Sequence, residues 1–168
     1  MYNGLVLLYV GAALVLNGLW MLGRIADREI LIINLLVGLL SLRVAHEYAF
    51  APQADQASVR EAALSLLFAF TYLWVAYNRL TVSDGRGLGW FSLFVALSAA
   101  VVAGQNVATA HSPWALWNGM CWAAWSLLWG LFFMQLVRGK PWSRQIGWLA
   151  IAQGIVTGWL PGFWLLYA

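Results

Sequence analysis

Three tryptophans lie on one face of a predicted helix in the second half of the chain. Trp122, Trp125 and Trp129 are spaced i, i+3 and i+7 within an apolar run over residues 114–137, and this spacing places them on the same helical face. Tryptophans that anchor a membrane helix gather at its ends, near the lipid headgroups, whereas these lie in the middle of the run. Their rings could pack the helix against its neighbours, or they could line a path through the membrane.

Acid–base chemistry and ion coupling need ionisable side chains inside the apolar segments, although each costs roughly 2.5–3.5 kcal/mol on insertion scales. Here all six acids stand in predicted loops or near segment ends: Asp27, Glu29, Glu47, Asp55, Glu61 and Asp84. The middle of each segment is therefore predicted to be uncharged, and coupling to an ion gradient is not expected.

Motifs for catalysis or metal binding are also missing from the sequence. His46-Glu47 begins like the zinc motif HExxH, but Phe50 stands where the second histidine is required. The chain has no GxSxG or Walker-type sequence, and its single cysteine, Cys121, has no CxxC or histidine neighbour. We interpret Cys121 as a small packing residue. The sequence predicts no enzyme, no cofactor and no metal site.

The composition indicates the class of protein that must position these residues. Hydrophobic residues make up 63% of the 168 residues and charged residues only 9%, which is typical of an integral membrane protein. Six apolar segments are each about 20 residues long, as a hydrocarbon core of about 30 Å requires; they cover residues 4–23, 30–50, 62–79, 88–110, 114–137 and 146–167. We therefore predict an all-α, polytopic membrane protein with six transmembrane helices in a single domain over residues 1–168.

Basic residues predict the orientation in the membrane. Seven of the nine flank loops one, three and five: Arg24, Arg28, Arg79, Arg86, Arg138, Lys140 and Arg144. The positive-inside rule places these loops in the cytoplasm and both termini outside. No basic residue precedes the first apolar run, so we expect that helix to be retained rather than cleaved as a signal peptide. The loops account for the net positive charge, and no nucleic-acid partner is predicted.

A few neutral polar side chains interrupt the predicted helices. They could clamp helices together, at about 0.6 kcal/mol for each hydrogen bond, or they could offer donors and acceptors to a neutral solute. Asn17 in helix one is one candidate, and Gln153 and Thr157, one turn apart in helix six, are the favoured pair.

Glycines form stripes on the first and last predicted helices, and such stripes allow another helix to approach closely. They are Gly4, Gly11 and Gly18 in helix one and Gly154, Gly158 and Gly162 in helix six. Whether the contacts lie within one protomer or between protomers stays open.

Stretches from the predicted helices are similar, in order, to one family of membrane proteins. They are GLVLLYVG at residues 4–11 with Asn17-Gly18, FTYL at 70–73 with Asn78, WFSLFVA at 90–96, the tryptophan stripe, and WLAI at 148–151 followed by Gly154-Ile155, Thr157 and Trp159. Together they resemble the AmiS/UreI family of bacterial inner-membrane urea and short-chain amide channels.

The resemblance implies passive flux of urea or short-chain amides through a pore within each protomer. It also implies a homo-hexameric ring whose central hole holds membrane lipid. Aliphatic and aromatic side chains narrow the pore of this family at two constrictions. The positions that match them here are Leu7, Val10, Leu14, Phe70, Trp74, Trp122, Trp125, Leu128 and Trp129.

Departures from the acid-activated urea channel of the family bear on gating. Gln153 stands where that channel has a glutamate, and only His46 and His111 lie near the predicted outer face. Trp74 replaces a tyrosine, and Asn118 replaces a further tryptophan. We therefore expect a channel that is always open. The alternative is a non-transporting membrane scaffold or accessory subunit, in which the tryptophans only pack helices.

Overall fold

The computed structural model describes residues 2–167, and it contains six helical spans that are long and apolar enough to cross a membrane. The first five are α1 (Tyr2–Met21), α2 (Ile30–Phe50), α3 (Gln56–Thr81), α4 (Arg86–Ala108) and α5 (Pro113–Leu136). The sixth, Ser143–Tyr167, consists of α6 (Ser143–Gln153), a π-helical segment (Gly154–Trp159) and α7 (Leu160–Tyr167). The predicted all-α class with six spans is confirmed.

Helix α3 begins at Gln56, whereas the predicted apolar segment begins only at residue 62. The difference arises because polar residues form the first turns of the helix. Asp55 caps the helix: its carboxylate accepts from the Ser58 backbone N–H at 2.8 Å, and the Ser58 hydroxyl accepts from the Asp55 N–H at 2.7 Å. This reciprocal capping box satisfies backbone donors that a helix start otherwise leaves free. The hydrogen bonds from Ser58 also hold the pKa of the Asp55 carboxyl below its ordinary value.

The six spans form a closed ring. Helices α2 and α3 pack extensively along their length, as do α4 and α5, and α1 packs against the whole sixth span. Smaller contacts join these pairs: α1 with α2, α3 with α4, and α5 with α6. Each span therefore has two neighbours in the ring, and the interior of the ring belongs to a single protomer.

Glycines bring α1 and the sixth span together within the protomer. A Cβ placed on Gly158 would stand 2.5 Å from the Gly11 Cα, and one on Gly154 would stand 2.8 Å from the Gly11 carbonyl oxygen. Both distances are too short for any side chain, so the two backbones touch. The glycine stripes thus serve an intramolecular contact, which the sequence had left undecided.

Candidate permeation pathway

A cavity of about 100 Å³ lies inside the ring, between α1, α3, α4 and α5. This volume is several times what one water molecule needs. The lining includes Trp20 near the end of α1, Arg79 near the end of α3, Leu88 near the start of α4 and Gln135 near the end of α5. All four positions adjoin loops one, three and five, so the cavity extends from mid-span to that end of the ring. We call this end the mouth.

An aromatic cluster marks the inner part of the cavity. The Phe68 ring lies 5.9 Å from Trp122, 5.0 Å from Trp125 and 4.9 Å from Trp129, measured between centroids, and all three pairs meet edge to face. Trp122 and Trp125 pack on each other at 5.1 Å. Each of the four side chains is at most 8% exposed. The predicted tryptophan stripe therefore converges on one phenylalanine of α3.

Two threonines orient Trp125 and Trp129. Trp125 Nε1 donates to Thr157 Oγ1 at 2.8 Å, and Trp129 Nε1 donates to Thr71 Oγ1 at 3.2 Å. Each threonine hydroxyl in turn donates to a carbonyl one turn earlier in its own helix, at 2.7 Å. Both indole N–H groups are thus satisfied within the protein, and the rings present carbon surfaces to their surroundings.

The predicted constriction residues divide into three groups. Leu14, Trp125, Leu128 and Trp129 line the cavity. Val10 and Trp122 are buried in the adjoining core, and Leu7 packs against that core. None of these last three belongs to the lining of the cavity.

Phe70 and Trp74 form the third group, and the structure corrects their assignment. Phe70 is 44% exposed, and both rings pack on Phe91 of α4, with centroids 6.5 and 5.7 Å away. The aromatic residues of α3 that line the cavity at the same i, i+4 spacing are Phe68 and Tyr72.

The sequence of α3 explains this error. Aromatic residues recur at every second position from residue 68 to 74, so two pairs with i, i+4 spacing exist. They lie two helical steps, or about 200°, apart. Thr71 and Asn78, which share a face with Phe68 and Tyr72, are the sequence signal that marks the cavity side.

Each of the predicted polar residues makes a hydrogen bond to another protein group. Asn17 lines the cavity, but its amide pairs reciprocally with the amide of Asn34 at 3.0 and 2.8 Å. Gln153 Nε2 donates to the Ala124 carbonyl at 2.9 Å, whereas its buried Oε1 has no partner among the described residues. Thr157 Oγ1 accepts from Trp125. Gln153 and Thr157 are buried and are not part of the cavity lining. They bind α5 at Ala124 and Trp125 from the side of the sixth span.

Sequence reasoning missed a polar cluster at the mouth. Arg79 Nη1 lies 3.5 Å from the Asp27 carboxylate, and its guanidinium carbon lies 5.0 Å from the Trp20 ring centroid. Trp20 Nε1 donates to Asp27 at 2.5 Å. The basic pattern had identified Arg79 only as a loop-flanking charge. Within residues 2–167, no group of three or more His, Cys, Asp or Glu side chains is placed to hold a metal ion.

Comparisons with known proteins agree with this arrangement. The family model described as AmiS/UreI family transporter matches residues 2–168. A putative amidate substrates transporter protein of Mycolicibacterium smegmatis is 40% identical over 162 residues, which cover 96% of this chain and 75% of the relative. The acid-activated urea channel of Helicobacter pylori is 33% identical over 189 residues, covering 98% of this chain and 96% of the relative.

A solved structure shares the whole fold. The crystal structure of the urea channel from Helicobacter pylori superposes with a TM-score of 0.85 at 34% identity, covering 99% of this chain and 97% of that one. The ring of six spans is therefore common to both proteins. The chain belongs to the AmiS/UreI family of transporters.

Proposed function

We propose that this protein is a passive channel for small neutral amides, such as urea and acetamide, and that the path runs through the centre of its own six-helix ring. The observation that carries the proposal is the aromatic cluster of Phe68, Trp122, Trp125 and Trp129, which adjoins a cavity inside the ring. The named activities of the two relatives, amidate substrate transport and a urea channel, support the same substrate class.

The cluster favours planar neutral solutes. A flat amide that slides between the rings gains contacts worth about 0.5–1.5 kcal/mol, if aromatic pairs are a guide. An ion that enters the same uncharged constriction loses hydration worth tens of kcal/mol in an apolar medium. Stacking cannot offset that loss, so ions are rejected by desolvation.

Passage requires the aromatic rings to move. The cavity lining includes Phe68 and Trp125 but not Val10, Leu7 or Trp122, which pack in or against the adjoining core. Phe68 touches all three tryptophans, so displacement of this one side chain opens the most space. A solute entering from the mouth meets Phe68 as the obstacle.

We further propose that no acid gate operates. Gln153 carries no titratable group, and its amide is held by the Ala124 carbonyl. His46 and His111 are exposed and lie outside the cavity lining. Flux then follows the concentration gradient alone.

The outer surface of the ring and the family support a location in the membrane and contact with further copies of the chain. Large apolar side chains are exposed on α4, among them Phe94 (60%), Leu97 (63%) and Val101 (61%). Such side chains suit contact with lipid or with further copies of the chain. We propose a homo-hexamer in the bacterial inner membrane, with both termini outside the cytoplasm.

Stopped-flow shrink–swell of proteoliposomes with urea, acetamide and glycerol tests the function. A channel gives amide permeability well above that of empty liposomes, and Trp125→Ala changes the permeability or the acetamide-to-glycerol ratio for each inserted molecule. Trp148→Ala is the matched control, because Trp148 is 58% exposed. Flux equal to that of empty liposomes indicates the non-transporting scaffold. Unchanged flux per molecule in Trp125→Ala removes the tryptophan from the pathway.

A further inference from the structure

The mouth of the cavity contains buried polar atoms without partners. Among the residues described, Arg79 Nε and Gln135 Oε1 are buried and make no hydrogen bond, and both residues line the cavity. One atom is a donor and the other an acceptor. A buried polar group without a partner is unfavourable, so this pair requires either water or a solute that supplies the opposite groups.

The neighbours of Arg79 fix the guanidinium and balance its charge. Nη1 faces the Asp27 carboxylate at 3.5 Å, and the guanidinium carbon lies 5.0 Å from the Trp20 centroid. Asp27 therefore balances the charge of Arg79 itself. The unpaired Nε–H remains as a directional donor.

The Gln135 amide is oriented from the opposite side. Its Nε2 donates to Ser143 Oγ at 2.8 Å, so the carbonyl oxygen is the part left without a partner. A third polar side chain, Asn78, also lines the cavity and is only 3% exposed. Its amide makes no hydrogen bond with another residue in the described part of the chain.

Asn78 lies close to the end of α5. A Cβ placed on Gly85 would lie 3.9 Å from Asn78 Nδ2 and 3.2 Å from Leu136 Cδ2, so these two atoms flank the same point. Leu136 follows Gln135 directly, and Arg79 follows Asn78. The three polar residues therefore occur together where α3 and α5 end.

We propose that Asn78, Arg79 and Gln135 form a recognition site for an uncharged primary amide at this mouth, before the aromatic cluster. The Arg79 Nε–H donates to the carbonyl oxygen of the solute, Gln135 Oε1 accepts from its NH₂ group, and the Asn78 amide supplies either. This inference rests on the proposed channel function. It assigns amide selectivity partly to hydrogen bonding at the mouth and not only to ring stacking further inside.

The test measures acetamide, urea, glycerol, acetate and water permeability in proteoliposomes of the full-length protein. Gln135→Met keeps the side-chain length and removes the acceptor, whereas Arg79→Lys keeps a positive charge for Asp27 and removes Nε–H. We expect each variant to lower acetamide and urea permeability at least fivefold, with glycerol and water changed less than twofold. Gln105→Met is the matched control, because Gln105 is exposed on α4, and it should leave all values unchanged.

Asn78→Leu provides a third variant if one of the others fails to insert. Acetamide-to-glycerol ratios within twofold of wild type in all inserted variants would overturn the site. A parallel fall of amide, glycerol and water permeability would show that these residues hold water or structure instead. Acetate uptake as fast as acetamide uptake in the wild type would show an anion site. A wild type without amide flux refutes the channel function itself, which is a distinct outcome.

Discussion

Phe68→Ala is the most direct perturbation of the proposed path. Phe68 is 8% exposed and forms edge-to-face contacts with three tryptophans, at 5.9, 5.0 and 4.9 Å. If a solute must displace this ring, the barrier includes the loss of those contacts. Removing the ring eliminates that part of the barrier permanently, so we expect permeability to rise and selectivity to fall.

The contacts give the size of the effect. Three aromatic pairs at about 0.5–1.5 kcal/mol each amount to about 1.5–4.5 kcal/mol. A barrier lower by about 1.4 kcal/mol speeds a step tenfold, so the lower bound predicts an increase of about tenfold. At the upper end of this range, steps of permeation other than displacement of the ring limit the increase in permeability. Glycerol, which lacks a planar amide, should gain more than acetamide.

Stopped-flow light scattering of proteoliposomes measures both permeabilities per inserted molecule. Phe94→Ala is the matched control, because Phe94 is 60% exposed on α4 and should leave both values within twofold of wild type. The same Phe→Ala change costs about 3–5 kcal/mol in a water-soluble core, so the variant should also be less heat-stable in detergent. Reduced stability with unchanged glycerol permeability would show that Phe68 only packs helices, and the displacement argument would fail.

Three further predictions concern orientation, gating and helix contact. A cysteine at Lys140 should react only with reagents on the cytoplasmic side, as the basic loops predict; labelling from outside would reverse the topology. Permeability at pH 5.0 and 7.5 should agree within about twofold, because histidine is the residue type that titrates in this range and His46 and His111 lie outside the cavity lining. A tenfold rise in acid that disappears when both are replaced would contradict the absence of a gate. Gly158→Val should prevent the contact between α1 and the sixth span and abolish the monodisperse peak in size-exclusion chromatography. Gly104→Val should be tolerated, because nothing lies within 4 Å of its Cβ position. Equal behaviour of the two variants would refute the close contact.

Local patterns were sufficient for the class, the six spans and the face of the tryptophan stripe. A run of about 20 apolar residues has few alternatives to a transmembrane helix, because every backbone polar group must be satisfied inside lipid. The i, i+3, i+7 spacing of Trp122, Trp125 and Trp129 likewise depends only on helical geometry. Their convergence is seen in the structure, where all three contact Phe68.

Tertiary packing decided what a repeating pattern leaves open. In α3, aromatic side chains stand on opposite faces, and only the neighbouring helices determine that Phe68 and Tyr72 line the cavity while Phe70 and Trp74 pack on α4. The end of α3 shows the same limit: the sequence identifies Arg79 as a loop charge, but its place beside Asp27 and Trp20 depends on how the ring closes. Helical periodicity determines which residues share a face, whereas the partner of that face is determined by contacts between residues far apart in the chain.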